Sequence, residues 1–176
     1  MPKNIQTLEP SFSTEFKELI SKSRDVALGL GYDYISTLHF FLADCEIRKP
    51  ASIYYFAFDH DDEYRQFKAH YTNHPDALPD LTKSSVPMTK EAEKSIWTAV
   101  DEQKSRKQLY IFPCHLFLAA VRNDQSLLYE CFRHEADIKA ALTQYYTERG
   151  ELNKTEVSGA GHTGFLASLA NLFRNQ

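Results

Sequence analysis

One stretch of this sequence occurs twice, and the repetition constrains the fold more than any other feature. The first copy spans residues 31–43 and reads GYDYISTLHFFLA, and the second spans residues 107–119 and reads KQLYIFPCHLFLA. Each contains Tyr-Ile, a gap of three residues, His and an apolar run, and the offset is constant, since 110 − 34 = 76 and 115 − 39 = 76. Recurrence at a fixed offset predicts a duplicated architecture.

The residues around each copy predict helices. Apolar residues recur at helical spacing from Phe12 to Gly29, with Ser13 as the N-cap, and the pattern restarts after the N-cap Thr89. Further helices are predicted at 38–44, 51–58, 59–71, 115–121, 126–132 and 136–146. Alternating strand patterns are missing. We therefore expect an all-α fold, a pseudo-twofold duplication of a four-helix repeat with about eight helices and no strand.

Stretches that contain proline or glycine set the predicted domain boundaries. We expect a leader at 1–11, repeat 1 at 12–72, a proline-containing linker at 73–87 and repeat 2 at 88–147. A glycine-containing flexible linker follows at 148–163. Segment 164–174 places Phe165, Leu169, Leu172 and Phe173 at i, i+4, i+7 and i+8, which predicts an amphipathic helix. Such a helix docks either on its own domain or in the groove of another chain.

Composition excludes several classes of function. The net charge of −4 argues against nucleic acid as a partner, because nucleic-acid binders carry a basic face. The three cysteines form no Cys-x-x-Cys pair, which is typical of reduced thiols in a cytoplasmic protein. No signal peptide and no membrane-spanning run are predicted. We expect no cofactor and no membrane association, and the sequence leaves the oligomeric state open.

The repeat resembles the amino-terminal domain of Clp ATPases. The first copy keeps Phe12-Ser13, Leu30-Gly31, Ile35, Thr37, His39 and Leu42, and the second keeps Thr89, Ala92, Asp101-Glu102, Tyr110-Ile111, His115 and Leu118. The resemblance covers residues 12–146. The chain looks like a freestanding form of the domain, without ATPase modules. The resemblance implies a compact, all-α, pseudo-twofold domain that binds substrates or adaptor proteins for an AAA+ unfoldase.

Two departures from the family pattern bear on function. The family has a glutamate immediately before each repeated His, and these glutamates take part in binding arginine-phosphorylated substrates in C-type Clp proteins. Here Leu38 and Cys114 occupy those positions, and neither can accept hydrogen bonds as a carboxylate does. The chain also has no phosphate loop: Gly159 and Gly164 have the right spacing, but Phe165-Leu166 follow instead of Lys-Ser/Thr.

The residues that could bind a metal or act in catalysis have simpler structural interpretations. His39 and His115 suggest a metal pair or a pH switch, but we expect each to bond backbone groups at the start of a short helix. Cys114 and His115 are neighbours on one helix and point about 100° apart, which disfavours a catalytic dyad. The acidic run at 59–63 lacks calcium-loop spacing and is typical of a helix N-terminus, with an acidic docking patch as the second interpretation. We predict no catalytic or metal-ligating residue.

Aromatic groups supply the remaining candidates. The rings at 54–58 and 145–146 are predicted to be mostly core, with one or two, Tyr55 among them, at an interface. Trp97 faces away from the apolar row of its helix. The residues predicted to bind protein are Leu38, Tyr55, Trp97, Cys114, Phe165, Leu169, Leu172 and Phe173.

The leading hypothesis is a non-enzymatic adaptor or regulatory module of a Clp-type AAA+ chaperone or protease system. Its partner would be a polypeptide: a substrate, a Clp-type ATPase or the protease core. The alternative is a structural or assembly factor of a contractile secretion machine, where a similar domain binds a helix of the sheath. An enzyme is the third hypothesis, and screening for bound metal and hydrolase activity would test it.

Overall fold

The computed structural model describes residues 11–47, 53–73, 82, 85–132 and 137–153, and helices make up most of this part of the chain. In chain order the elements are β1 (Ser11–Phe12), α1 (Thr14–Gly29), α2 (Thr37–Ile47), α3 (Tyr54–Ala57), α4 (Asp61–His70), α5 (Lys90–Ser105), β2 (Tyr110–Ile111), α6 (Pro113–Ala120), α7 (Leu127–Phe132), α8 (Ile138–Glu148) and a 3-10 helix (Glu151–Asn153). The all-α prediction is confirmed.

The two long helices begin at the caps that the sequence predicts. Ser13 Oγ accepts a hydrogen bond from the backbone N–H of Phe16 at 3.1 Å, and Thr89 Oγ1 accepts one from Ala92 at 3.3 Å. Both caps have extended backbone geometry. A capping oxygen satisfies one of the N–H groups that the first turn of a helix leaves unpaired.

Removing either cap should therefore weaken the fold. We expect Ser13→Ala and Thr89→Ala each to lower the free energy of unfolding by about 1 kcal/mol, measured by urea denaturation. Thr98→Ala is the matched control, because Thr98 lies within α5 and its hydroxyl only bonds back to the carbonyl of Lys94. Equal effects for Thr89→Ala and Thr98→Ala would show that the cap contributes nothing.

Two short strands correct the expectation of an all-helical chain. β1 and β2 pair in parallel, Ser11 with Tyr110 and Phe12 with Ile111. An isolated bridge joins Ile35 to Met88. Phe12 therefore lies in a strand and not in the first helix. A strand of two residues is too short to leave an alternating pattern in the sequence, which is why the prediction missed it.

These pairings are reciprocal between the two halves of the chain. Adding 76 to Phe12 and Ile35 gives Met88 and Ile111, so each half supplies the same two positions to the other. The flanking hydrogen bonds repeat as well: Ser13 N–H donates to Ile111 O at 3.0 Å, and Thr89 N–H donates to Ile35 O at 2.8 Å. The contacts thus recur at the offset of the sequence repeat.

The core lies between the long helices and the two helices of the repeated motif. α1 packs on α2, and α5 packs on α6. Residues 37–45 of α2 and all of α6 are buried, as expected for helices that are apolar on every side. Polar groups join the halves, because Thr37 N–H donates to Glu91 Oε1 at 2.9 Å and the Thr37 and Ser126 hydroxyls are 3.0 Å apart.

The halves differ in their last helices. α8 buries Ile138, Leu142 and Tyr146, whereas the positions 76 residues earlier on α4 are exposed and polar: Asp62, Gln66 and His70. α4 packs instead through half-buried rings at Tyr64, Phe67 and Tyr71.

Packed structure continues beyond the end of α8. Glu151 and Leu152 are buried in the 3-10 helix, although the sequence predicts a flexible linker from residue 148.

Candidate functional site

Aromatic rings from both halves meet in one group, which we call the aromatic cluster. It contains Phe41, Phe56, Phe58, Tyr64, Phe67, Tyr71, Phe132 and Tyr145. α2, α3 and α4, with the residues that follow them, contribute the first six rings, and α7 and α8 contribute the last two. Phe41 is completely buried, whereas the other rings are half-buried.

The rings contact one another continuously from one half to the other. Phe41 lies at the centre, with ring-centroid distances of 5.8 Å to Phe58, 5.6 Å to Phe67 and 5.6 Å to Phe132. Phe56 extends the contact, 6.0 Å from Phe132 and 5.5 Å from Tyr145. Most pairs are tilted or edge-on, the geometry that aromatic rings prefer. The rims of the half-buried rings therefore form an apolar surface on a rigid base.

A cation borders this surface at its α8 end. The guanidinium carbon of Arg149 lies over the Tyr145 ring, 5.1 Å from its centroid. Burial raises the pKa of the Tyr145 phenol, so its hydroxyl stays protonated at neutral pH and can donate a hydrogen bond. The surface thus combines apolar area with a few polar groups, as protein interfaces do.

The paired histidines are structural groups. His39 Nδ1 accepts from the backbone N–H of Ser36 at 3.0 Å, and His115 Nδ1 accepts from that of Phe112 at 2.9 Å. The predicted backbone hydrogen bonds are thereby confirmed. Burial lowers the pKa of each imidazole to about 4, with the charge of Arg106 as a smaller cause at His115. Both rings are therefore neutral at physiological pH, with Nε2 carrying the proton.

Leu38 and Cys114 are core residues. Leu38 is 2% exposed and Cys114 is fully buried, so the structure contradicts the prediction that they contact a partner. The Cys114 thiol lies 3.9 Å from the backbone carbonyl of Glu151, which covers it. A dry environment accepts both side chains, whereas it would penalise the carboxylates that the resemblance implies at these positions.

The other predicted binding residues have different locations. Trp97 is on the surface, 59% exposed on α5. Tyr55 belongs to α3, but its side chain lies outside the described part of the chain, as do Phe165, Leu169, Leu172 and Phe173. Sequence reasoning did not single out Phe41, Phe67 or Phe132. The spacing of Tyr64, Phe67 and Tyr71 at three and four residues was a usable signal for an aromatic face on α4.

Among the described residues, neither a metal-binding group nor a membrane-spanning helix is found. No group of three or more His, Cys, Asp and Glu side chains among them is arranged to hold a metal ion. The acidic run begins α4, where Asp62 pairs with Arg65 and Glu63 Oε2 accepts from the backbone N–H of Asp59 at 3.0 Å. Within this part of the chain, no helix has the length and apolar character that crossing a membrane requires.

Comparison with protein families gives one match. Residues 11–135 match the family described as the Clp repeat (R) N-terminal domain, and these 125 residues are more than half of the 176. A search of curated protein sequences finds no significant match.

Three solved structures illustrate the similarity of fold. The Hsp104 N-terminal domain of Candida albicans has a TM-score of 0.60 and 14% identity over 80% of this chain and 93% of its own. The N-terminal domain of the chaperone ClpD from Arabidopsis thaliana has a TM-score of 0.59 and 21% identity over 78% and 96%. A structure from a malarial protein secretion system has a TM-score of 0.64 and 13% identity over 84% and 98%. At identities this low, the structural similarity shows a shared fold alone.

Proposed function

This chain belongs to the family of Clp repeat (R) N-terminal domains, and on that premise we propose that it is a protein-binding module of a Clp-type AAA+ chaperone or protease system. It acts as an adaptor or regulator that recognises polypeptides and catalyses no reaction. The observation that carries the proposal is the aromatic cluster, in which half-buried rings from both halves of the fold contact one another.

Such a surface suits the recognition of polypeptides. Large rings supply contact area with little loss of conformational entropy, because their neighbours already hold them in place. Phe56 and Tyr145 combine partial exposure with direct ring contact, so an apolar side chain of a partner can pack against both at once. The Arg149 guanidinium at the edge can bond a backbone carbonyl or carboxylate of the same partner.

The histidines support a non-enzymatic role. In each half the imidazole is buried, and Nδ1 accepts a backbone hydrogen bond, so the lone pair that a general base needs is already in use. The same interactions that fix the start of α2 and α6 thus remove the most obvious proton acceptors from the surface.

Substitutions in the aromatic cluster test the proposal. We expect Phe56→Ala combined with Tyr145→Ala to weaken binding of the partner at least tenfold, because aromatic anchors at interfaces contribute about 2 kcal/mol each. The measurement is co-purification of partners with the tagged chain from its native cell, followed by titration of the recovered partner. Recovery of an AAA+ unfoldase, its peptidase or its substrates with the unsubstituted chain is the expected result.

Trp97→Ala provides the comparison, because Trp97 is an exposed aromatic residue outside the cluster. The proposal expects this variant to bind as the unsubstituted chain does. Loss of binding for Trp97→Ala alone would move the site to α5. Recovery of a sheath component in place of a Clp-type protein would favour assembly of a contractile secretion machine.

A further inference from the structure

An open groove runs along the outer face of α8 and ends at the residue that follows α5. Its volume is about 740 Å³, and it is lined by Arg106, Asp137, Lys139, Ala140, Thr143, Gln144, Thr147 and Glu148. Apart from Ala140 every lining side chain is polar or charged. At 1.5 Å per residue, the part of α8 from Lys139 to Glu148 is about 13 Å long, which matches about four residues of extended chain.

Positive charge is concentrated at one end of this groove. The Glu102 carboxylate, only 5% exposed, pairs with Arg122 and lies 3.7 Å from Arg106 Nε. One buried carboxylate therefore anchors two arginines. Partial burial, together with repulsion from Arg122 and Arg106, lowers the pKa of the nearby Lys139 ammonium. Lys139 therefore lies near two arginines that share one buried carboxylate.

The remaining acids do not cancel this charge. Asp137 Oδ1 accepts the backbone N–H of Ala140 at 3.0 Å and so serves as the cap of α8. At this end Arg106, Arg122 and Lys139 outnumber Glu102 and Asp137 by one positive charge. The lining as a whole is neutral, because Glu148 at the far end balances that charge. Glu148 lies at the far end, where its carboxylate accepts from Gln144 at 2.7 Å. The groove is basic at one end and neutral to acidic at the other.

We infer that this groove binds a short acidic segment of a partner polypeptide. Carboxylates of the segment pair with Arg106 and Lys139, and neutral polar residues bond Thr143, Gln144 and Thr147 along α8. Arginine held by a buried carboxylate is pre-oriented, and its planar donors match a carboxylate. The inference rests on the proposed function only in taking the partner to be a polypeptide.

Charge and length favour a peptide over other polyanions. A strand of nucleic acid long enough to follow the groove carries phosphates that meet Glu148, and the rest of the protein is acidic. The chain's own residues 154–176 are a poor occupant, because their side chains include one acid, Glu156, against Lys154 and Arg174. A partner segment with two adjacent acids and a neutral continuation fits both ends.

This surface is distinct from the aromatic cluster. Successive residues of an α-helix point about 100° apart, so Tyr145 and the groove residues Thr143 and Thr147 project from different sides of α8. One polypeptide-binding surface is therefore aromatic and the other ionic. Glu148 lies about 60° from Tyr145 around the helix, so the two surfaces adjoin at the end of α8.

Fluorescence anisotropy with purified full-length chain tests the inference. The probe is a fluorescein-labelled hexapeptide of two glutamates followed by alternating serine and alanine, and the reference has glutamines in place of the glutamates. We expect saturable binding of the acidic peptide that weakens as salt rises, and no binding of the reference. Lys139→Glu should weaken binding about tenfold and leave the urea midpoint unchanged.

Lys94→Glu is the matched control, because it makes the same change of charge at an exposed position on α5. It lies twelve residues from Arg106, about 18 Å along the helix, well beyond the screening length at physiological salt. Lys94→Glu should bind as the unsubstituted chain does. Equal weakening by both substitutions, or equal binding of the two peptides, would overturn the inference.

Two further outcomes separate the alternatives. Tighter binding of a labelled ten-nucleotide oligothymidylate than of the acidic peptide, lost in Lys139→Glu, would assign the groove to nucleic acid and reject the peptide. The Phe56→Ala, Tyr145→Ala variant should keep its affinity for the acidic peptide. Because this assay uses the purified chain alone, its failure leaves the co-purification test of the aromatic cluster unaffected.

Discussion

Lowering the pH from 7 to 4 should reduce the free energy of unfolding by about 6 kcal/mol, through two side chains alone. His39 and His115 have pKa values of about 4 in the folded chain, against 6.5 for a free imidazole. The unfolded chain therefore takes up two protons below pH 6.5 that the folded chain still excludes. The stabilisation is fully present above pH 6.5 and is lost progressively as the pH falls toward 4.

Urea denaturation at half-unit intervals between pH 7 and pH 4 measures this dependence. The expected slope approaches two protons, about 2.7 kcal/mol per pH unit, through the middle of the range. His39→Gln and His115→Gln provide the control, because a glutamine at the same position of a helix can accept the hydrogen bond but does not titrate. Each substitution should lower the slope of unfolding free energy against pH by about one proton. An unchanged slope in both variants would refute the assignment of the pH dependence to these histidines.

Phe41→Ala should lower the free energy of unfolding by about 4 kcal/mol, the second-largest expected effect. The Phe41 ring is completely buried and touches Phe58 and Phe67 of the first half and Phe132 of the second. Its removal leaves a cavity that rigid neighbouring rings cannot fill. The same substitution should weaken partner binding, since the cluster then loses the ring on which its exposed members rest.

Phe41→Leu separates volume from ring geometry. Leucine keeps most of the apolar area, so we expect a loss of about 1 to 2 kcal/mol. Thermal unfolding measures the loss of stability in both variants, and Trp97→Ala is the reference. Truncating this exposed ring should change stability by no more than about 0.5 kcal/mol. If Phe41→Ala resembled Trp97→Ala in stability, the cluster would not be a structural link between the halves.

The sequence alone predicted the features that depend on local chemistry. Ser13 and Thr89 cap their helices because a hydroxyl before an apolar periodic segment has one favourable use, and the repeated histidines bond backbone groups for the same local reason. The burial of Leu38 and Cys114 was also open to prediction, since an apolar side chain in place of a carboxylate indicates a dry site.

Features that depend on distant residues were not predictable from one sequence. Glu102 and Arg122 are twenty positions apart and form an ion pair only because α5 packs on α6. The aromatic cluster likewise assembles rings from Phe41 to Tyr145, and no local pattern indicates that they meet.

We expect the reciprocal bridges between the halves also to order the steps of folding. The Ile35–Met88 bridge closes a loop of 53 residues, and the Phe12–Ile111 pairing encloses it in a loop of 99. Loop-closure entropy rises with the logarithm of length, so the inner contact forms more readily. Once it has formed, the outer closure spans only the two arms of 23 residues each, since 35 − 12 = 23 and 111 − 88 = 23. The nested loops thus divide the entropy cost of bringing distant residues together into two loop closures, each shorter than a direct closure of 99 residues.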